Sequence, residues 1–399
     1  MNFTIILRNI TGKIYRSNET DFSVDVERQK QLLSAFPEPK DLFTRSYYQY
    51  QCQMKRKAAV FGVVQNIAAL VLLPVYYLIL ASRRKESMQQ ARGEHAVFFT
   101  DGISVQTIPD CLRVEYNEIL PCKLAEEMYI GKQEKKMLSV LFMQYWYSPC
   151  FLFKCMLKIS MYAATIEQYN PRAIISYSEY SYTSSVLTEY CRLRGVEHIN
   201  IMHGEKLFNI RDTFVQYDRY YVWDEHYINL LTDLRADKEQ FRIAVPHSVK
   251  FDCKRKDEPI YEYTYYLGEE KTKEMLTIRD ALLRIGVPSS RTCVRYHPRY
   301  SKVKEIKRIF TGFQIENPAE VPLDISLSRT RHIVSLFSTV LYQAYASGKE
   351  IIIDDVTDKL KYEKLKKLRY IMLEKPHGKL SEYLYNREDF NRMTQVGAI

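Results

Sequence analysis

Short apolar runs alternate with longer amphipathic segments along the chain after residue 94. Apolar runs of four to six residues that end in a turn signal predict strands, whereas apolar positions repeating every three or four residues predict helices. In the first half, strands are predicted at 95–102, 171–180, 198–204 and 219–225, and helices at 132–169 and 183–195. In the second half, strands are predicted at 261–268, 292–298, 331–338 and 349–355, and helices at 269–286 and 339–348. Strands that alternate with helices indicate βαβ units and parallel sheets.

The alternation stops at a charged stretch, residues 251–258, and then starts again. Two such series joined by a polar linker predict an α/β protein with two facing doubly wound, Rossmann-like domains. The N-terminal domain is expected at residues 95–250 and the C-terminal domain at 259–399, after a helical lead-in at 1–94. Three glycines are expected to close the helices that they follow: Gly195, Gly286 and Gly348.

The lead-in contains one long apolar segment, Ala58–Leu80, which is long enough to cross a bilayer. Its interruptions are Gln65, Asn66 and Pro74. Basic clusters stand at both ends, at residues 55–57 and 83–85, whereas a spanning helix normally has its positive charges on one side. The pattern favours a helix that lies in the plane of an anionic membrane surface. A spanning helix and a buried core helix are the alternatives.

The chain as a whole is positively charged. The 399 residues include 58 lysines and arginines against 48 aspartates and glutamates, a net charge of +10, which suits a nucleotide, an acidic membrane surface or a nucleic acid. The cations are spread along the chain and their densest run, residues 360–370, is typical of a solvated helix face, so a nucleic-acid partner is disfavoured. The eight cysteines form no CxxC pair, which argues against a zinc site and fits reduced thiols in the cytoplasm.

Ionisable and hydroxyl side chains stand where several predicted strands end. Ligands of an open parallel sheet bind beyond the carboxyl ends of its strands. In the N-terminal domain the candidates are Asp101, His203 and Glu205, and another strand end, residues 176–185, is rich in serine. In the C-terminal domain they are His297, Pro298, Arg299, Ser338 and Thr339. Hydroxyls and N–H groups at a helix N-terminus bind phosphate, and a histidine and an arginine beside them strengthen the attraction.

Several cofactor and metal motifs are missing from the sequence. It has no GxGxxG after its first predicted strand and no GxxxxGK[ST], which disfavours dinucleotide and P-loop sites. No DxD-like motif follows a strand; Asp354 and Asp355 do follow one, but adjacent acids at that place also cap helices. We therefore predict a reaction that needs neither a metal ion nor another cofactor.

The order of these motifs resembles that of the GT-B glycosyltransferases of bacterial surface polysaccharide synthesis, and more closely the bacterial sialyltransferases that use CMP-activated sugars. Those enzymes carry an acidic-Gly motif in the N-terminal domain, and a His-Pro and then a Ser-Ser/Thr motif in the C-terminal domain. His297-Pro298 matches the second motif and Ser338-Thr339 the third. The first motif departs from the pattern, with Asp101-Gly102 and His203-Gly204-Glu205 as the only substitutes. A His-Gly followed by a His-Pro is similar instead to transferases of polyol phosphates from CDP-activated donors.

The resemblance covers residues 95–355 in outline and implies a cytoplasmic enzyme, peripherally associated with the inner face of the cell membrane. It implies transfer of a sugar from a nucleotide-sugar donor, CMP-sialic acid or a related CMP-sugar, to a surface glycan or a lipid-linked glycan.

Such a transfer needs a base and a partner for the departing phosphate. His203 or Glu205 is expected to take the proton of the acceptor hydroxyl, with Asp101 as a further catalytic candidate. His297, Arg299 and the hydroxyls after them are expected to hold the nucleotide phosphate. The alternatives are a CDP-polyol phosphotransferase, a UDP- or GDP-sugar transferase of the same architecture and, in another class, a non-catalytic nucleotide- or nucleic-acid-binding protein.

Overall fold

The computed structural model describes residues 25–55, 59–83, 93–100, 103–123, 128–251 and 259–384, and these form two compact domains. The first domain contains the described residues up to 203 together with 208–244. The second contains 204–207 and the described residues from 245 onward. Each domain is built on one parallel six-stranded sheet with helices beside it, which confirms the predicted α/β, Rossmann-like fold class. Asp101, Ala58 and most of the predicted linker lie outside the described residues.

The first sheet has the strand order β2-β1-β3-β4-β5-β6, and every neighbouring pair is parallel. Its strands are β1 (Ala96–Phe99), β2 (Ile119–Cys122), β3 (Ala173–Ser176), β4 (Glu197–Ile201), β5 (Arg219–Val222) and β6 (Phe241–Ile243). All residues of β1 and β3 are buried. Alternate residues of β1 enter two separate apolar clusters, Val97 and Phe99 on one face and Phe98 on the other. The short apolar runs of the sequence are therefore strands covered on both faces.

The second sheet has the order β12-β11-β10-β7-β8-β9, again with parallel neighbours. Its strands are β7 (Tyr261–Tyr266), β8 (Thr292–Arg295), β9 (Gln314–Glu316), β10 (Thr330–Ser335), β11 (Glu350–Ile353) and β12 (Gly378–Lys379). The chain runs from β7 outward through β8 to β9, returns to β10 on the other side of β7 and then continues outward. This is the strand order of the Rossmann fold.

The predicted helices are present with one exception, and the structure has further short helices that the pattern did not predict. Those of the first domain are α1 (Val26–Ser34), α2 (Leu42–Lys55), α3 (Ala59–Ser82), α4 (Asp110–Glu115), α5 (Lys132–Tyr145), α6 (Pro149–Tyr169), α7 (Ser184–Leu193) and α8 (Glu225–Asp233). Those of the second are α9 (Thr272–Arg284), α10 (Val303–Ile309), α11 (Leu323–Ser328), α12 (Thr339–Ala346) and α13 (Lys359–Lys367). Gly195, Gly286 and Gly348 have φ angles of 65°, 77° and 74°, as expected of residues that close helices.

The exception is the single helix predicted at 132–169, which is wrong. The structure has two helices there, because Pro149 is the first residue of α6. Proline lacks the N–H that would continue a helix and disfavours helical backbone in the residue before it, Ser148.

The lead-in helices pack on the first domain. Ser46 of α2 accepts a hydrogen bond at Oγ from the backbone N–H of Val186 in α7, at 2.9 Å. Tyr76 of α3 lies edge-on to Phe153 of α6, with ring centroids 5.4 Å apart. Both helices therefore belong to the same compact unit as the first sheet.

By length and composition, two of the described helices are able to cross a membrane. One is α6, with a mean hydropathy of 1.2, and it is 72% buried within the protein, as a core helix is. The other is residues 62–82 of α3, with a mean hydropathy of 2.1 and only 22% buried. The more apolar helix is thus the more exposed of the two.

Candidate active site

A cavity in the first domain lies where the strand order changes direction. The chain places β2 on one side of β1 and β3 on the other, and ligands of doubly wound sheets bind at such a point, beyond the carboxyl ends of the strands. The cavity has a volume of about 230 Å³. It is lined by Phe99, Lys158, Tyr162, Tyr177, Ser178, Tyr180, Ser181, Ser184, Leu187 and His198. Six of these ten residues carry a hydroxyl group, which can both donate and accept hydrogen bonds, so the lining suits a ligand that itself carries hydroxyls.

His203 stands two residues after β4 and has a buried carboxylate beside it. Its Nδ1 lies 3.3 Å from Oε1 of Glu179, whose side chain is fully buried. The histidine side chain is 27% exposed. A carboxylate beside one ring nitrogen can orient an imidazole for proton transfer at the other nitrogen. His203 and Glu179 are therefore the candidate base and its orienting carboxylate.

Glu179 lies in the segment between β3 and α7, residues 177–183, which we call the site loop. Asn200 of β4 donates from Nδ2 to Glu179 Oε2 at 3.4 Å and accepts at Oδ1 from the backbone N–H of Ser178 at 2.8 Å. The buried amide thus ties the loop after β3 to the neighbouring strand. Because β3 and β4 are paired in the sheet, the ends of both strands bring Glu179 and His203 together.

Two glutamines of α2 hold the site loop from the other side. Gln49 donates from Nε2 to the carbonyl oxygen of Glu179 at 3.3 Å, and Gln53 donates in the same way to Tyr180 at 2.8 Å. Each amide also donates to the carbonyl oxygen of Arg211, at 2.9 Å. The loop backbone is therefore fixed by side chains one helical turn apart.

Two tyrosines of the site loop connect His203 with the cavity. The ring of Tyr177 lies 5.2 Å from the imidazole and that of Tyr180 lies 6.3 Å from it, both edge-on. Both rings also line the cavity. The candidate base and the hydroxyl-lined cavity therefore belong to one place in the first domain.

The other histidine of this region, His198, is a core residue. It is fully buried, and burial lowers its pKa to about 3, so its ring is neutral at physiological pH. Its Nε2 lies 3.1 Å from the Tyr162 hydroxyl, and its Nδ1 lies 2.8 Å from the Thr188 hydroxyl. Both ring nitrogens thus have partners in the protein.

Glu205, two residues after His203, packs with the second domain. It is close enough to the buried Tyr370 that its charge adds to the effect of burial in raising the pKa of that phenol. The Tyr370 hydroxyl in turn donates to the carbonyl oxygen of Ser338 at 3.2 Å. The structure therefore places Glu205 near the predicted phosphate-binding segment, whereas His203 lies beside Glu179.

The second domain has its own point of direction change, between β7 and β10. Ser338 and Thr339 follow β10 and begin α12, and the His297 segment follows β8 on the far side of β7. Adjacent strands are about 4.8 Å apart, so the carboxyl ends of β8 and β10 are separated by roughly 10 Å. A nucleotide phosphate group with its ribose can bridge such a distance.

Ser338 is the N-cap of α12. Its Oγ accepts from the backbone N–H of Val340 at 3.2 Å, and its own N–H donates to the Tyr370 hydroxyl at 3.4 Å. The hydroxyl oxygen therefore accepts a hydrogen bond from the helix, and its O–H group can donate a hydrogen bond to a phosphate. Thr339 is the first residue of the helix, where the macrodipole favours an anion.

His297 is a neutral hydrogen-bond donor. Its Nδ1 accepts from the backbone N–H of Arg299 at 3.1 Å, which leaves the proton of the neutral ring on Nε2. Burial, and then the charge of Arg299, lower the pKa of His297 below its ordinary value. The imidazole stacks on Tyr300 with ring centroids 4.5 Å apart. The backbone N–H of His297 donates to Ser301 Oγ at 2.8 Å. The ring is thus fixed with Nε2–H as its donor.

Pro298 and Arg299 form the exposed part of the same segment. The guanidinium of Arg299 supplies the positive charge that the neutral His297 lacks. Glu270 follows β7, which lies between β8 and β10 in the sheet. Its Oε2 accepts from the Gly268 N–H at 2.6 Å. Burial raises the pKa of Glu270 above its ordinary value.

Asp354 and Asp355 have structural partners. Asp354 is fully buried: its Oδ1 accepts from the N–H groups of Val356 and Thr357, both at 2.9 Å, and its Oδ2 from the Tyr265 hydroxyl at 2.7 Å. Asp355 accepts from the N–H and the hydroxyl of Ser381. Within the described ranges, no three His, Cys, Asp or Glu side chains are grouped as a metal site would need.

No protein-family model and no curated protein matches this chain. Among solved structures, it is similar to the UDP-GlcNAc 2-epimerase of Neisseria meningitidis bound to UDP-GlcNAc, at 11% identity and a TM-score of 0.44, over 76% of this chain and 92% of that one. It is also similar to the glycotransferase of kitacinnamycin, at 11% identity and a TM-score of 0.42, over 77% and 90%. CalG4, the calicheamicin glycosyltransferase, has 9% identity and a TM-score of 0.40, over 70% and 83%. These likenesses concern the fold alone.

Proposed function

We propose that this protein is a glycosyltransferase that moves a sugar from a nucleotide-activated donor to a hydroxyl group of a glycan acceptor. The observation that carries the proposal is the pair formed by His203 and the buried Glu179, beside a hydroxyl-lined cavity at the direction change of the first sheet. A base next to a cavity that suits a polyol is what the activation of a sugar hydroxyl requires.

The reaction is a direct displacement. Nε2 of His203 takes the proton of the acceptor hydroxyl as the oxygen attacks the anomeric carbon of the donor. The bond between that carbon and the phosphate oxygen breaks, and the electron pair leaves with the nucleotide. The negative charge of the departing phosphate is met by His297 Nε2–H, the guanidinium of Arg299 and the N-terminus of α12. Glu179 stabilises the imidazolium that forms on His203.

The sequence motifs favour a CMP-sugar, CMP-sialic acid or a relative, as the donor, and a surface or lipid-linked glycan as the acceptor. We further propose that the reaction takes place in the cytoplasm at the inner face of the membrane, because the positive net charge of +10 suits an anionic leaflet.

Nucleotide binding tests the predicted phosphate-binding residues of the second domain. A thermal-shift panel of CMP, CDP, UDP, GDP and their sugar conjugates is expected to raise the unfolding temperature with CMP and CMP-sugars most, because a ligand that binds the folded state stabilises it. His297→Ala is expected to weaken that nucleotide about ten- to a hundredfold, since a hydrogen bond to a charged group contributes about 1.5 to 3 kcal/mol.

The matched control is His377→Ala, a partly buried histidine elsewhere in the second domain whose Nδ1 lies 2.7 Å from the carbonyl oxygen of Lys375. It should leave the affinity unchanged. A response to CDP and CDP-polyols alone would favour a polyol phosphate transferase, to which the His203-Gly204 and His297-Pro298 motifs are also similar. A panel without any response would contradict the proposed donor site.

We further propose that the reaction needs no metal ion, because other groups are able to neutralise the charge of the phosphate. Arg299, the neutral His297 and the N-terminus of α12 supply the charge and the donors that a divalent ion supplies elsewhere, and the two acids after β11 are engaged in hydrogen bonds. Sugar transfer is therefore expected to keep its rate in excess EDTA. A loss that added manganese or magnesium restores would contradict this phosphate site and would make Asp354 and Asp355 candidate ligands again.

A further inference from the structure

The outward side of α3 is a continuous apolar surface, which we call the α3 face. Its residues recur every three or four positions and are between 38% and 68% exposed: Val63, Val64, Ile67, Leu70, Val71, Val75, Leu78 and Ile79. At 1.5 Å per residue the face extends for about 24 Å. The helix contains no charged residue. Soluble surfaces rarely expose apolar patches of this extent without a partner.

The inward side of α3 shows that the helix belongs on the domain. Gln65 is only 4% exposed, and Asn66 accepts at Oδ1 from the backbone N–H of Cys150 at 3.2 Å. A membrane-spanning α3 would carry both amides away from the protein and into hydrocarbon, where polar groups are costly. The contacts are those of a helix that stays on the domain and offers one apolar side outward.

A groove opens between α3 and α5, which we call the α3–α5 groove. It has a volume of about 480 Å³. It is lined by Leu73, Pro74, Tyr77, Leu78, Lys135, Leu138, Ser139, Phe142, Met143, Leu152 and Met156. Leu152 and Met156 of α6 are buried and form its floor. Lys135 is the only charged residue among those that line the groove.

Charge and aromatic residues around the groove match an anionic lipid. Lys132, Lys135 and Lys136 are exposed at the start of α5, and the acid among them, Glu134, is buried and paired with Arg194 at 3.0 Å. Trp146, just after α5, is 66% exposed. Lysines attract anionic headgroups, and tryptophan is enriched at the boundary between headgroups and hydrocarbon.

We propose that the α3–α5 groove binds one acyl chain of an anionic glycerophospholipid while the α3 face lies in the membrane interface. The phosphate of that lipid pairs with Lys135, and the chain lies over Leu152 and Met156. This inference rests on the proposed membrane location and is independent of the chemistry at His203. The α3 face contacts the membrane surface in general, whereas the α3–α5 groove binds a single lipid molecule.

The first measurement is flotation of the full chain with vesicles of phosphatidylglycerol and phosphatidylcholine, compared with phosphatidylcholine alone. Binding is expected to require phosphatidylglycerol, to fall in high salt or carbonate, and to bring Trp146 into contact with brominated acyl chains, which quench its fluorescence. The other tryptophan, Trp223, is buried in the first domain. Leu70→Glu with Val71→Glu is expected to lower vesicle binding at least about tenfold. Val114→Glu, at an exposed valine outside the α3 face, should not.

The second measurement locates the chain, with phosphatidylglycerol that carries a photoreactive group in one acyl chain. Labels are expected on the floor residues Leu152 and Met156. Ser139→Phe fills the groove and is expected to reduce those labels at least about fivefold, while flotation stays within about twofold.

Three results would overturn the proposal. They are labels confined to the α3 face, labels on the floor that Ser139→Phe leaves unchanged, and a protein that only detergent extracts and whose residues 1–50 are protected from protease in vesicles. The last result would show that α3 spans the membrane. None of these measurements depends on sugar transfer, so a failure here is distinguishable from a failure of the proposed reaction.

Discussion

His203→Ala is expected to lower kcat for sugar transfer by about two to four orders of magnitude, the usual scale for the loss of a general base. Nucleotide affinity should stay nearly unchanged, because the residues proposed to hold the phosphate belong to the second domain. The measurement is initial rates with saturating donor, together with the nucleotide-induced thermal shift of the same variant.

Glu205→Ala tests whether His203 or Glu205 is the general base. Glu205 packs with the second domain near Tyr370, so its loss should affect nucleotide binding more than the proton transfer. If Glu205→Ala loses turnover to the same degree while His203→Ala remains active, the base is Glu205. If both variants keep near-normal turnover, the mechanism proposed above is wrong.

Glu179→Gln is expected to lower kcat about ten- to a hundredfold without changing the KM for the donor. The amide has nearly the same shape as the carboxylate but lacks its charge, and a loss of about 1.4 to 2.7 kcal/mol in transition-state stabilisation corresponds to that change in rate. Steady-state rates at several donor concentrations give both constants. A positioning role predicts this split between kcat and KM, whereas a general loss of structure would lower the unfolding temperature as well.

The matched control is Glu134→Gln, at another buried glutamate of the same domain. Glu134 pairs with Arg194 at 3.0 Å and accepts from the Tyr190 hydroxyl at 2.5 Å. Its substitution should lower the unfolding temperature and leave kcat unchanged at a temperature where the variant is folded. Equal losses of kcat in both variants would assign Glu179 a structural role only.

The sequence predicted the elements whose signal is local. Buried parallel strands are short apolar runs, and glycines with positive φ close helices, so both are visible within a few residues. The edge strands carry no such signal: β9 and β12 have three and two residues, and β2 contains Pro121, which is tolerated at the edge of a sheet. The interruption at Pro149 was visible in the sequence but lay inside a continuous apolar pattern.

The pairing of Glu179 with His203 has no local signal. The two residues are brought together only because β3 and β4 are neighbours, a fact of sheet order that spacing along the chain does not reveal. Asn200 illustrates the same limit, because it interrupts the apolar run of β4 as a polar residue, and the structure shows it fully buried and bonded to the site loop. A buried amide in a strand was the available sign that a polar network lay beside it.

For the predicted phosphate-binding residues of the second domain, too, the sequence predicted the positions but not the contacts. The positions of His297 and Ser338 at strand ends follow from the alternation of strands and helices, whereas their hydrogen-bonding states do not. The neutral tautomer of His297 depends on a backbone N–H two residues away, and the N-cap role of Ser338 on the start of α12.

The hydrogen bonds from α2 to the site loop have a practical consequence for handling the protein. A shortened form that begins at the first strand would lack Gln49 and Gln53, and with them the donors to the carbonyl oxygens of Glu179, Tyr180 and Arg211. Water would replace those donors, so the lead-in would no longer fix the loop that carries Glu179. The fragment would also lose the part of the apolar core that α2 and α3 supply, so it would be a poor catalyst. An inactive truncation would then say nothing against the proposed chemistry.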